Sequence, residues 1–231
     1  MNVNDMYRIC QFAVNKAQNG YLTPSEFNLV INQAQVSYQD YLLGEFQQYQ
    51  YGRPQARITY SQNENIRQRL TPLITEATLT INSTTGESPY PADYVQADTV
   101  ITTDFKRVRY VQQDSLYSYY NSEIDPVATN PIYLIEPSKF QFYPKNLGTA
   151  ILTYVKDAPE IVWAYTTVSG RPVYAPTQTG AGVTPTTGTV QPVWDNVDLL
   201  EIITRALKLI GLNLQDGMVE QYANQITQTG Q

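Results

Sequence analysis

The hydrophobic period of this chain changes twice, and that confines it to folds that mix helix with sheet. Apolar residues recur at helical spacing at both ends and alternate in the middle. Near the start, Met6, Ile9, Cys10, Ala13 and Ala17 fall on one helical face, and Asn19-Gly20 stops that element. Thr23-Pro24-Ser25-Glu26 is a capping box with proline at the first helical position, so the next helix start is specified twice. That helix carries Phe27, Val30, Ile31, Ala34, Tyr38, Tyr41 and Leu42 on one stripe. Gly44 and the Gly52-Arg53-Pro54 break end it. Ser61-Gln62-Asn63-Glu64 is a second capping box and opens a shorter helix that ends before Pro72. The opposite faces of these helices carry Asn and Gln where Lys and Glu are usual. Such a neutral face suits a surface that meets other subunits, and a merely bland surface equally well.

From residue 74 the period drops to two. Thr75 to Ile81 places Ala77, Leu79 and Ile81 on one face. Ala97 to Thr103, Phe105 to Val111, Pro131 to Ile135, Phe140 to Tyr143 and Ala150 to Lys156 read as further strands, punctuated by Gly, Pro, Asn and Asp. A short helix is expected over Gln113 to Asn121. Nothing between these strands is long enough for a βαβ crossover, so an antiparallel sheet or small barrel is expected.

Pro172 to Trp194 has no charged residue and is dominated by Thr, Gly and Pro. It reads either as a flexible loop or as an extended hairpin arm reaching a neighbouring molecule. Disordered segments are usually charged as well as polar. Val173, Tyr174, Val183 and Val190 therefore favour the arm. Helix returns after Asp195 or Asn196, over Val197 to Ile210. Asp198 and Glu201 at its start and Arg205 and Lys208 near its end complement the helix dipole. Apolar residues cover most of its circumference, which predicts burial on more than one side. Asp216 caps an expected last helix bearing Val219, Tyr222, Ala223 and Ile226.

The expected fold class is α+β. Residues 1–72 supply the N-terminal helices of one bundle, and residues 73–172 an inserted antiparallel sheet or small barrel. Residues 173–193 form the arm, and residues 194–231 complete the bundle.

Composition narrows the chemistry. The chain has no histidine, which removes Ser-His-Asp triads, Cys-His dyads and His-based metal sites. Its single cysteine, Cys10, cannot form a disulfide within the chain and reads as a small core residue. A net charge of −6 argues against a nucleic-acid-binding face. Lys106, Arg107 and Arg109 form a small basic patch, expected to pair with an acidic neighbour. Paired carboxylates are the remaining common acid-base device. Nothing in the spacing of Asp93, Asp98, Asp104, Glu123, Asp125 and Asp157 selects a pair. No catalytic, cofactor-binding or metal-binding residue is therefore assigned. Asn82-Ser83-Thr84 fits a glycosylation acceptor only by chance, because no secretory leader or membrane-spanning run is read. What stands out is 19 tyrosines and 22 glutamines with only 16% charged residues. Tyrosine is enriched at interfaces and also in sheets. The uncharged Phe46-Gln47-Gln48-Tyr49-Gln50-Tyr51 run reads as contact surface. Tyr49, Tyr51, Tyr174, Thr177, Val183, Val190, Leu200, Leu207 and Tyr222 are the expected assembly contacts.

The order of motifs is familiar. Asn15 to Asn28 (NKAQNGYLTPSEFN), followed by Ala34-Gln35, resembles the N-terminal segment of structural proteins of crAss-like tailed bacteriophages. Tyr90 to Tyr94 (YPADY), Asn130 to Tyr133 (NPIY), Phe140 to Pro144 (FQFYP) and Leu152 to Pro159 (LTYVKDAP) resemble the sheet motifs of podovirus head-to-tail adaptor proteins of the tail-tubular-A type. The resemblance implies a non-enzymatic homo-oligomeric ring, usually dodecameric, at the head–tail interface of the virion. It would be made in the host cytoplasm and would contact the portal protein and other tail or ring proteins. Genomic DNA would pass through the lumen without sequence-specific binding, with no membrane and no cofactor involved. An alternative of another class is a carbohydrate- or surface-binding module of a tail fibre or adhesin, which should be all β. A two-carboxylate hydrolase is a third.

Overall fold

A computed structural model describes residues 1–16, 21–47, 58–120 and 125–210. The fold is α+β and divides into two compact units, residues 1–69 with 158–231 and residues 70–157.

Four of the described helices build the first unit. They are α1 (Val3–Lys16), α2 (Pro24–Gln47) and α5 (Asn196–Leu209), with α3 (Ile58–Leu70) completing the set. The Thr23 box caps α2 as the motif predicts. The backbone amide of Thr23 donates to Glu26 Oε2 (2.9 Å), and the Glu26 amide donates back to Thr23 Oγ1 (3.3 Å). The Thr23 hydroxyl, which donates to Glu26 Oε2 (2.6 Å), and then the Thr23 amide hold the Glu26 carboxyl below its ordinary pKa. Thr23→Ala should cost about 1 kcal/mol in chemical denaturation, and a neutral result would mean the box is ornamental. The Ser61 box does not start α3, which already begins at Ile58.

The buried stripe of α2 is Phe27, Ile31, Ala34, Tyr38, Leu42 and Leu43, with Tyr41 turned outward. Met6, Cys10 and Val14 point inward from α1, and Ile9 points out. α2 lies along α5, and α1 touches both. Gly44 does not stop α2, which runs on to Gln47. α5 departs from expectation. Leu199, Ile202, Ile203 and Ala206 are buried with Asp198, but Val197, Leu200 and Leu209 are exposed. Its apolar circumference therefore divides into one packed face and one open face.

The first unit also holds a three-stranded sheet in the order β10–β8–β9: β8 (Tyr165–Val168), β9 (Arg171–Tyr174) and β10 (Val183–Thr184). Ser169 and Gly170, both at positive φ, make the tight β8–β9 turn. Residues 173–193 thus do not form a projecting arm. Val183 is buried with Ala164 and Ala175. Thr189 Oγ1 accepts from the Ala164 amide and donates to the Ala175 carbonyl. Val190 pairs with Val162 as an isolated bridge. Two buried anchors and a hydroxyl that ties two strands fold the segment back onto its own unit.

The second unit contains two sheets. β7 (Thr149–Lys156) runs antiparallel between β1 (Ile74–Thr80) and β3 (Tyr94–Thr102). The other has the order β2–β6–β5–β4, from β2 (Glu87–Pro89), β4 (Arg109–Tyr110), β5 (Ile132–Glu136) and β6 (Lys139–Tyr143). The β4–β5 pair is parallel, against the antiparallel expectation. α4 (Gln113–Tyr120) supplies the crossover that a parallel pair needs. Leu79, Ile81, Val100, Val108, Tyr133, Phe140, Phe142, Ala150, Leu152 and Tyr154 from both sheets share one core. The described strands form two sheets around that core, where one barrel was an option. Gly86 fits its turn because a Cβ there would lie 2.7 Å from the Phe142 carbonyl oxygen at φ +79°.

Candidate contact surfaces

Asn28, Asn32 and Gln35 of α2 are an internal clasp. Asn32 Nδ2 donates to the Ile161 carbonyl (2.8 Å), and Asn32 Oδ1 accepts from the Ile161 amide (2.8 Å). One turn earlier, Asn28 does the same to Trp163, at 3.2 and 2.8 Å. Gln35 Nε2 donates to the Pro159 carbonyl (3.0 Å), and its Oε1 accepts from Trp194 Nε1 (3.3 Å). A side-chain amide has the same donor–acceptor pair as a peptide. Three of them at positions i, i+4 and i+7 act as a strand for the extended segment from Pro159 to Trp163. On this face of the helix, Asn28, Asn32 and Gln35 therefore satisfy backbone groups of residues 159–163.

Among the described tyrosines, Tyr7, Tyr38, Tyr133 and Tyr154 are buried, while Tyr21, Tyr41, Tyr110 and Tyr117 are exposed. Trp163 is 3% exposed and packs on Tyr7 (4.3 Å between centroids), Tyr165 (5.8 Å) and Tyr174 (5.7 Å). In the second unit, the motifs YPADY, NPIY, FQFYP and LTYVKDAP converge. Tyr90 stacks on Tyr94 (4.7 Å), and both meet Phe140 edge-on. Tyr133 packs between Phe140 and Phe142. Asp93 accepts from the Tyr154 hydroxyl (2.8 Å), and its carbonyl accepts from the Asp157 amide (2.8 Å). These motif residues build a core, and Asp93 and Asp157 brace it. Asn82, the chance acceptor, closes a turn by accepting from the amides of Thr84 and Thr85.

Among the described residues, one charge is buried. Asp198, 2% exposed, accepts from the Tyr38 hydroxyl (2.6 Å) and lies 3.7 Å from Arg69 Nη1. Burial, together with the Asp198 carboxylate, pushes the Tyr38 phenol up to about 12. Burial likewise pushes Tyr133, Tyr154 and Cys10 up to about 12. Each folded pKa lies above its unfolded value, so the folded state keeps protons that the unfolded state loses. That stability is fully present below pH 9 and is lost as pH rises, from about 9 for Cys10 and about 10 for the tyrosines, toward 12. With no histidine to titrate, the unfolding free energy should vary by less than about 0.5 kcal/mol between pH 6 and 8.5 and fall steeply above 10. A urea titration series across pH checks this, and a marked slope near neutrality would contradict it.

The expected contact residues scatter. Tyr49, Tyr51 and Tyr222 lie outside the described residues. Tyr174 is half-buried in the Trp163 cluster, and its hydroxyl accepts from Gln191 Nε2 (3.1 Å). Val183 is core and Val190 is half-buried. Thr177 and Leu200 are exposed, and Leu207 is half-buried. Leu200 alone among these sits with other outward apolar residues. The open apolar surface that sequence reasoning missed is Ile9 on α1, Leu29 and Val36 on α2, and Val197 beside Leu200 on α5; Leu29 is 73% and Val197 67% exposed. Leu29 and Val36 recur at heptad spacing, the one signal that could have revealed them. The basic patch also differs from expectation. Among the described residues, none of Lys106, Arg107 and Arg109 has a carboxylate within ion-pair distance, and Arg109 donates instead to Asn130 Oδ1 (2.9 Å).

Among the described residues, no three potential ligands are grouped to hold a metal, and no helix is long and apolar enough to cross a membrane. No protein family matches the chain, and no curated protein matches it.

Proposed function

We propose that this chain is a structural virion protein that assembles head-to-tail into a closed ring, a dodecamer by its resemblance, at the head–tail junction below the portal. The ring would give DNA a passage and offer the next tail component a docking surface. It would do no chemistry.

The observation that carries the assembly part of this reading is the open apolar surface of the first unit. α1, α2 and α5 each bury one face and still present Ile, Leu or Val outward. Several distinct apolar surfaces on one chain are what a heterologous contact needs, and such contacts close into rings when their rotation permits. The virion location rests on the order of the quoted motifs. The helices at both ends of the described chain argue against the sugar-binding alternative, which should be all β. The acidic balance suits a lumen that lets DNA slide. Labelling purified virions with an antibody to this chain tests the location. Label confined to the tail vertex is expected, and label on fibres or on no particle would overturn the reading.

A further inference from the structure

The turn that follows β3 ends in an outlier. Phe105 is 82% exposed and sits at φ +57°, in the left-handed region. Backbone and side-chain hydrogen bonds define the turn that holds it. The Phe105 amide donates to the Thr102 carbonyl (2.9 Å), and the Thr102 amide donates to the Lys106 carbonyl (2.8 Å). The Lys106 amide donates to Thr102 Oγ1 (3.1 Å), and Ile101 bridges Arg107 beyond it. In three-residue hairpin loops this position favours glycine, with asparagine tolerated. Phenylalanine carries a backbone cost here, and its ring gains no burial within the subunit. Strain kept at an exposed large aromatic points to a binding role. Lys106, Arg107 and Arg109 follow Phe105 in the chain without ion-pair partners among the described residues, and Arg109 donates to Asn130 Oδ1.

A complementary surface lies on α2. Glu26, Leu29, Gln33, Val36 and Asp40 follow one another at spacings of three and four, and all are exposed. The stripe has a carboxylate at each end, two open apolar residues between them, and no cation. On α5 the outward Leu200 neighbours Glu201, which already pairs with Arg205 (3.1 Å). The chain itself is the natural anion for the tip. It has 15 Lys and Arg against 21 Asp and Glu. Setting aside the tip's three cations and Asp104 leaves twelve cations and twenty carboxylates. A second copy therefore meets the tip with excess negative charge.

We propose that the Phe105 tip of one copy docks on the Glu26–Asp40 stripe of α2 in the next. The ring lies over Leu29 and Val36, and Lys106, Arg107 and Arg109 face the stripe's carboxylates. This inference rests on the ring reading and names its contact. Tip and stripe are different surfaces of one chain, so the contact is head-to-tail.

The test is sedimentation equilibrium over a concentration series, with thermal unfolding alongside. Phe105→Asn relieves the left-handed strain, so its melting temperature should match wild type or rise by roughly 2–4 °C. Its self-association should weaken at least tenfold. Leu29→Asn, on the other side of the contact, should weaken it equally. Arg107→Glu should also weaken it, and adding Asp40→Arg in the same chain should restore most of the loss. If wild type forms a ring and either Phe105→Asn or Leu29→Asn, still folded, assembles like it, the docking proposal falls and the ring reading stands. A monomeric wild type overturns both. Phe105-dependent binding to anionic phosphatidylserine vesicles or to DNA, with self-association unchanged, would reassign the tip and overturn the proposal.

Discussion

Replacing Asn32 by alanine should lower the unfolding free energy by about 2–4 kcal/mol. The change leaves the amide and carbonyl of Ile161 without their partners, and each buried unpaired backbone group costs about 1–3 kcal/mol. Ile161 is fully buried, which limits replacement by water. Gln33, the next residue, is exposed. Its alanine variant should stay within about 0.5 kcal/mol of wild type. Asn32→Asp sharpens the test. The carboxylate can still accept from the Ile161 amide, but it sets two acceptors against the Ile161 carbonyl. It should fall well below wild type at neutral pH and recover part of the loss when protonated near pH 4. Urea denaturation of the three variants measures this. If Asn32→Ala matched Gln33→Ala, the amide clasp would have no energetic role.

The second large effect lies at Asp198. Tyr38→Phe removes the 2.6 Å hydrogen bond to a carboxylate that is almost fully buried, leaving only Arg69 at 3.7 Å. A hydrogen bond to a charged group is worth about 1.5–3 kcal/mol, so a loss of that size is expected. Asp198→Asn keeps an acceptor for Tyr38 and removes the buried charge, and should cost less. The double variant Tyr38→Phe with Asp198→Leu replaces both partners by apolar groups. It should recover most of what Tyr38→Phe loses, because a buried carboxylate is costly mainly when one partner is removed. A thermodynamic cycle over these variants gives the coupling directly. Additive losses would show that Tyr38 and Asp198 do not depend on each other.

Both effects belong to residues whose roles a linear reading could only half see. The helical ends and the alternating middle were legible because burial imprints its period on apolar residues. The Thr23 box was legible because its bonds are local. Asn28, Asn32 and Gln35 were visible as a neutral face, but an amide facing water looks the same in sequence as one facing the backbone of residues 159–163. The difference is a contact across more than 120 positions. The Thr/Gly/Pro segment misled for a related reason. Its turns are local, but the burial of Val183 against Ala164 and Ala175 is not. The Ser61 box failed because a box signature does not prevent a helix from starting earlier. Residue type alone marks Tyr174, Val183 and Val190; in the structure Val183 is core, and Tyr174 and Val190 are half-buried. The outward Leu29 and Val36 were hidden because the inward stripe already explained the helix.

The same contrast changes what the composition means. Some of the amides and tyrosines are internal wiring, in the clasp, the Trp163 cluster and the aromatic core of the second unit. On the proposed reading, contact between copies would fall instead to the few apolar residues left open on α1, α2 and α5 and to the Phe105 tip. Removing residues 177–191 would therefore take out Val183 and Thr189 and damage the first unit, so that deletion would report on folding and not on docking.

Native mass spectrometry of the purified full chain addresses the central claim most directly. A closed ring predicts one dominant species of fixed high copy number, near twelve, that persists on dilution into the low micromolar range and weakens in the Leu29→Asn and Phe105→Asn variants. A monomer at all concentrations, or a ladder of sizes with no closed species, would contradict it.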